Sequence, residues 1–396
     1  MSGDVVVSFP ASATKIMLVA IEPSADQIGA ALIRELLRLA PNAALSGCGG
    51  PAMAAEGLQS LFPIEALSVM GLTDALRALP VALRRADDLT VAAAEKDVDA
   101  VVLIDGWGFS RLCAKRMRRR ALRAKLFKLA APQVWASRPG RVNFVQRHFD
   151  GVLCLLPFEP PLFEKAGVKA EFIGNPNFQA AWRSKGDGER FRKFYDLGEA
   201  PLLAVLPGSR RGEINHLLDP FEGAVRLLAE RVPALRVVVA LPPQVSSAQR
   251  RIAKWPGQPV FAHPDEKFDA FAASDAALAK SGTVTTELAI SQTPMVVAYQ
   301  VDPLSGLWMR SIATTPFVTI LNVAAGREVV PEFIQEDCRA ELLAGALLPL
   351  MKDKEARLEQ LEQFPPILAS LGVDAAPAEQ KAAATIFEWM GWRPAA

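Results

Sequence analysis

The chain has 396 residues, enough for two domains that each bury a core of their own. It is 51% apolar and 22% charged, a balance typical of a soluble globular protein, and its net charge of +1 provides no global field to draw a nucleic acid. The four cysteines are scattered without a C-x-x-C pair, which excludes a disulfide framework or zinc ribbon, and no window reaches the ~20 apolar residues of a spanning helix.

Residues 1–14 lack the basic-then-apolar order of a secretory leader and read as an extension, so the expected location is cytoplasmic. The first strand, "KIMLVAI" (15–21), runs through a polar turn into a helical pattern over 26–39. Strand patterns follow at 43–49, 99–105, 124–131, 151–157 and 171–174, with helical patterns at 71–95, 109–122 and 141–148. A polar, charged stretch at 183–200 reads as a linker, after which the alternation restarts at 202–208, 235–242, 259–263, 275–281 and 294–301. From about 331 the chain reads as helices, ending in "ATIFEWMGW" (384–392). Apolar strands separated by helices predict parallel sheets covered on both faces. The expected fold is therefore α/β, with doubly wound domains at 15–182 and 201–375 and a C-terminal helix, 376–396, with room to cross back to the first.

Ligands of such sheets bind beyond the carboxyl ends of the strands. "LPGSRRGEI" (206–214) follows a strand and opens a helix, so Gly208 and Ser209 suit a tight turn and Arg210 suits phosphate oxygens. "KSGTVTTELAI" (280–290) repeats the arrangement: Ser281, Gly282 and Thr283 sit at a helix start, and Glu287, one turn on, could accept from ribose hydroxyls. Plain helix capping would explain Ser281 or Thr283 alone. Two anion-receptive turns in one domain suit a nucleoside diphosphate held without metal. The third element, "LNVAAGREVVPEFIQEDC" (321–338), reads as a strand end at Asn322 and a helix opening at Pro331-Glu332 that carries Gln335. There is no Walker loop, no G-x-G-x-x-G, no acidic magnesium pattern, and the three histidines are scattered.

With these elements in this order, the chain resembles the lipid-A-disaccharide synthase family from about Lys15 to Trp392. "GCGGPAMAAEGLQSLFPIEALSVMGLTDAL" (47–76), which contains Met70 and Gly71, "LPFE" (156–159) and "FIGNP" (172–176) also fall in that family's order. The resemblance implies a GT-B fold of two facing Rossmann-like domains. It implies UDP in the second domain, acceptor chemistry in the first, an inverting, metal-independent transfer without a cofactor, and often a homodimer. Position by position, Arg210 resembles the diphosphate-contacting arginine, Ser281, Gly282, Thr283 and Glu287 the UDP turn, and Asn322 and Gln335 polar residues of the site.

The first domain departs from the family. G-E-x-S-G-D appears as Ile21-Glu22-Pro23-Ser24-Ala25-Asp26, and I-D-x-P-D-F-N as "IDGWGFS", which keeps Asp105 but places Gly108 and Ser110 at the other polar positions. G-H-P-x-x-D appears as "GNPNFQ", with Asn175 and Gln179. Asn175 cannot be a base. Asp105 either takes the acceptor proton or caps the following helix, with Glu22 and Asp26 as the other candidate bases and Ser24, Asn175, Met70 and Gly71 on the acceptor side. The apolar segment 70–85, beside nine lysines and arginines in 111–128, suits an anionic membrane surface or a solvated helix face. The sequence thus predicts transfer of an acylated glucosamine from a UDP-sugar to a lipid or sugar-phosphate acceptor. The alternatives are a catalytically silent UDP-sugar or lipid binder and an epimerase-like enzyme.

Overall fold

The computed structural model describes residues 14–65, 67, 72–184, 186–209, 211–241 and 246–392. Two compact units form, one from Met1–Pro176 with Ala375–Ala396, the other from Asn177–Asp374.

In unit 1 the order is β1 (Lys15–Val19), α1 (Pro23–Leu39), β2 (Ala44–Cys48), α2 (Pro51–Ala55), α3 (Leu72–Glu95), β3 (Ala100–Ile104) and α4 (Trp107–Arg119). There follow β4 (Lys125–Leu129), α5 (Arg141–His148), β5 (Gly151–Cys154), α6 (Pro160–Glu164) and β6 (Lys169–Phe172). The six strands pair in parallel in the order β2-β1-β3-β4-β5-β6. Alternate residues feed two cores: Met17, Val101, Leu103 and Leu126 enter one face, Ile16, Leu18, Val102, Ile104 and Phe127 the other. That two-sided burial is why these strands are apolar without alternation.

In unit 2, α7 (Pro176–Ser184) and α8 (Gly188–Phe194) precede β7 (Leu202–Leu206), α9 (Arg211–Arg231), β8 (Arg236–Val239), α10 (Ser246–Ile252) and β9 (Val260–Phe261). Next come α11 (Lys267–Ala273), β10 (Ala276–Lys280), α12 (Thr283–Ile290), β11 (Met295–Tyr299), α13 (Pro303–Ile312), α14 (Ile320–Ala325) and β12 (Glu332–Ile334). Helices α15 (Ala340–Lys352), α16 (Lys354–Leu361) and α17 (Phe364–Ser370) close it. Its parallel sheet runs β12-β11-β10-β7-β8-β9. The stretch 183–200 is not an extended linker: α8 lies in it, Phe191 is buried, and Arg190 pairs with Asp269 on α11.

The last helix, α18 (Ala378–Trp389), belongs to unit 1 and packs on α1. Trp389 lies so close to Gly151 that a Cβ there would come 2.4 Å from its ring, so only glycine fits at the start of β5.

Two expectations for 321–338 fail. Asn322 lies on α14 instead of a strand end, and Pro331-Glu332 opens the short edge strand β12, paired only with β11, instead of a helix. The Glu332 carboxylate holds this strand to the loop before α14, accepting from Val318 N, Thr319 N and the Thr319 hydroxyl at 2.8, 2.8 and 2.6 Å. No helix among the described residues is long and apolar enough to cross a membrane.

Candidate functional site

Each strand order reverses once, between β1 and β3 in unit 1 and between β7 and β10 in unit 2. A reversal sends the two flanking strand-to-helix loops to opposite faces and opens a crevice between them. All the strongest sequence motifs lie at these two places.

In unit 2 the crevice is a cavity of about 440 Å³. Gly208, Ser209, Ser281, Gly282, Thr283 and Glu287 all line it, as the sequence motifs predict. Gly208 has φ +115°, a conformation that favours glycine, and a Cβ there would come 3.2 Å from the Glu213 carboxylate. α12 starts at Gly282 with no side-chain cap and no acidic residue in its first turn, so its leading amides stay available to an anion. The Ser281 hydroxyl is committed elsewhere, donating to Val318 O at 2.6 Å. Its contribution is to fix the turn. Arg210 lies outside the described residues.

Two lysines that the motifs did not bring forward also line this cavity. Lys280 Nζ is 3.2 Å from Glu213 Oε1 and 5.3 Å from the centre of the Tyr299 ring. Lys267 Nζ donates to both Glu287 oxygens at 3.0 Å, orienting the carboxylate expected to meet a ribose. The remaining wall is apolar, with Leu206, Leu241, Ala262 and Val284. The cavity therefore combines a helix start, two lysine–carboxylate pairs and apolar side chains.

Asn322 and Gln335 stand apart from this cavity. Asn322 is fully buried, and its amide is spent internally. Oδ1 accepts from Val329 N and Val330 N at 2.8 and 3.0 Å, and Nδ2 donates to Val330 O and Glu332 Oε1, both at 2.8 Å. All four hydrogen-bond positions of the amide are filled, leaving none for a ligand. Gln335 exchanges bonds with Val301, accepting from its N–H at 2.8 Å and donating to its carbonyl at 3.2 Å. It lines a different cavity, of about 740 Å³, beside α13.

At the unit 1 reversal, the loop after β1 meets the loop after β3, where Ile21 and Glu22 lie against Gly106, the residue after Asp105. Asp105 and Gly106 are both left-handed, with φ 46° and 48°. Asp105 does not cap α4: the helix has Gly106 at its cap and no side-chain cap bond. Asp26 is buried, and its carboxylate is the cap of α2, accepting from Gly50 N, Ala52 N and Met53 N at 2.7, 2.8 and 3.1 Å. That removes it from the candidate bases. Ser24 is exposed on the first turn of α1, and Asn175 is buried just before α7. Met70 and Gly71 lie outside the described residues.

Two buried ionisable groups of unit 1 are not among the candidate residues of the sequence, Lys128 beside the Asp105 turn and Glu159 after β5. Lys128 is 1% exposed, and Nζ donates to the carbonyls of Asp105, Leu129 and Leu103 at 2.7, 2.8 and 3.2 Å. Burial pushes its pKa down to about 7, against the opposing pull of Asp105 and Glu22. Glu159 accepts from the Trp135 indole at 3.2 Å and from Leu155 N and Leu156 N at 3.1 Å, and burial raises its carboxyl to about 7.

The basic run 111–128 also divides. Lys128 is interior, Arg116 pairs with Asp87 and Arg118 with Asp150, so these three do not form part of an open basic face. Near the start of α4, Trp107 and Phe144 meet edge to face at 5.7 Å, with Arg141 5.8 Å from the first ring and Arg111 5.7 Å from the second. Neither arginine has a carboxylate partner among the described residues. Burial, with Arg138 and Arg111 nearby, holds Arg141 below the usual arginine range.

Among the described residues no group of three or more His, Cys, Asp and Glu side chains could hold a metal ion. The family model described as lipid-A-disaccharide synthetase matches residues 16–386. A lipid-A-disaccharide synthase of Rhodospirillum centenum is 41% identical over 375 residues, covering 94% of this chain and 93% of that protein. One from Paramagnetospirillum magneticum is 40% identical over 384 residues, covering 95% and 97%. Among solved structures, the S. aureus MnaA–UDP complex superposes with a TM-score of 0.64 at 12% identity, covering 96% of this chain and 97% of the other. The calicheamicin glycosyltransferase CalG4 gives 0.55 at 16%, covering 96% and 98%. At such identities these likenesses show the fold, a GT-B arrangement of two Rossmann-like domains.

Proposed function

The chain belongs to the lipid-A-disaccharide synthetase family, glycosyltransferases of lipid A biosynthesis, and from that premise we propose that it moves an acylated glucosamine from a UDP-sugar to a phosphorylated lipid-sugar acceptor. The observation that carries the donor half is the unit 2 cavity, where the Gly208 turn, the uncapped start of α12 and the Lys280 ammonium line one space. Diphosphate oxygens would meet the amides and Lys280, Arg210 would add a charged fork, Glu287 would accept from the ribose, and the apolar wall would take the uracil. These donors are in place before the glycosidic bond breaks, so charge forming on departing UDP needs no further reorganisation.

In unit 1, Asp105 takes the proton from the attacking acceptor hydroxyl as its oxygen bonds the anomeric carbon and UDP leaves. Attack opposite the leaving group inverts that carbon. No step calls for a metal or cofactor. Arg111 and Arg141, on their aromatic pair and with no carboxylate partner among the described residues, suit an acceptor phosphate. The exposed basic residues of α4 and the segment around Leu79, 42% exposed, suit peripheral contact with an anionic cytoplasmic membrane face. A homodimer fits the family's habit.

The reading is tested by UDP titration, UDP release and product analysis across a panel of acylated glucosamine phosphates. Disaccharide formation supports it; UDP binding without turnover on any acceptor points to a silent binder, and product from the UDP-sugar alone to an epimerase. Arg210→Ala should weaken UDP binding by about 10- to 100-fold, the worth of a charge-assisted phosphate contact. Unchanged affinity removes Arg210 from the site. Arg141→Ala should raise KM for a phosphorylated acceptor about tenfold at nearly constant kcat. The same change with a phosphate-free acceptor would show that Arg141 does not read the phosphate.

A further inference from the structure

We propose that Lys128 is a positioning residue of the acceptor-side site, its ammonium clamping the main-chain turn from which Asp105 works. The proposal deepens the reading of Asp105 as base and rests on it for its effect on turnover.

The turn is unusual. Asp105 and Gly106 are consecutive left-handed residues, and a non-glycine residue holds that conformation only at a cost that its surroundings must offset. Asp105 N donates to Leu129 O at 2.9 Å, and the Asp105 carbonyl accepts from both the Ser110 hydroxyl and Lys128 Nζ at 2.7 Å. Lys128 then ties that same peptide to Leu129 on β4 and Leu103 on β3. Three carbonyl acceptors require three N–H groups, so the observed geometry is that of the ammonium. Neutral lysine has two hydrogens and would release one carbonyl.

Lys128 sits on β4 with Leu126 on the same face, where an apolar residue would serve packing alone. A full charge there stays only because its hydrogens are all placed. The charged groups that face it are Asp105, from the turn after β3, and Glu22, from the turn after β1. Both are carboxylates of the candidate site. The same cation thus fixes the peptide orientation at Asp105 and sits in the field of Asp105 and Glu22. Its pKa near 7 places loss of the third hydrogen within the working pH range, so the clamp should loosen as pH rises through neutrality.

The first test uses the unaltered protein with ¹³C-labelled lysine and uniform ¹⁵N labelling. The ¹⁵N shifts of Gly106, Ala130 and Ile104 report the three carbonyls, and they should move with the Lys128 Cε signal through one midpoint. Independent behaviour would overturn the proposal. The second compares kcat of Lys128→Met, Asp105→Asn and the double variant, with UDP affinity as the check on folding. Lys128→Met should lower kcat by at least about 30-fold, with UDP affinity within about twofold, and flatten the alkaline fall of the parent's pH profile. Added to Asp105→Asn, it should cost less than about another twofold, because residues acting as a unit are non-additive. Full turnover in Lys128→Met, or losses that multiply, would overturn it. Full turnover in Asp105→Asn would instead remove the base assignment, while the labelled-lysine result still judges the clamp.

Discussion

Replacing Asp105 with asparagine should lower kcat by about a thousandfold while leaving UDP affinity within about twofold of the parent. Asparagine has nearly the same shape and tolerates the left-handed backbone that this position demands, so the turn should survive the change. What disappears is the ability to take a proton. Among the described residues, the proposed donor cavity is lined by unit 2 alone, which is why UDP binding should be indifferent. Single-turnover rates with a phosphorylated acceptor, together with calorimetric UDP titration, read the two arms separately. Retention of more than about a tenth of the parent rate would place the base elsewhere. Glu22 would then be the next carboxylate to test, since Asp26 is consumed in capping α2.

The second large effect is on stability. Asn322→Ala should destabilise unit 2 by about 3 kcal/mol, because it strands two N–H groups and a carbonyl in a fully buried place and removes one partner of Glu332. For a unit of this size that corresponds to a melting transition lower by roughly 6–12 °C. UDP affinity of the still-folded protein should be unchanged, measured below the new transition. A variant that melts like the parent but binds UDP more weakly would restore the ligand-contacting role that the sequence motif suggests.

These two residues mark how far the sequence could be read. Asp105 was legible because a polar residue ending the run "DAVVLID" stands out against a strand buried on both faces. The unit 2 cavity was legible for the same reason: Gly208 and Gly282 follow apolar strands, and strand order brings both loops to one crevice. Asn322 misled because "ILNVAA" is a short apolar run with no period of its own, compatible with a strand end or a single buried helical turn. β12 was missed for a related reason. Pro331 followed by Glu332 resembles a helix start, and only pairing with Val297, Ala298 and Tyr299 makes the segment a strand. Lys128 counted as one more cation in a basic run, because the three carbonyls that receive it exist only once β3 and β4 are side by side. Lys267 was equally hidden, as its partner Glu287 lies beyond β10 in the chain.

Unit 2 is inserted between the two segments of unit 1, and this sets an order for synthesis on the ribosome. The span 177–374 is continuous and can close on itself as soon as it emerges. The core on one face of the earlier sheet cannot be completed then, because Ala382, Ala383, Ile386 and Phe387, which pack with Ile16, Leu18 and Ile33, arrive near the end. Until that moment the nascent chain carries a finished second unit and a first whose α1-covered face still lacks its α18 packing, a state suited to a holding chaperone. A premature stop before Ala382 would therefore leave an intact unit 2 attached to a unit 1 prone to aggregation and proteolysis.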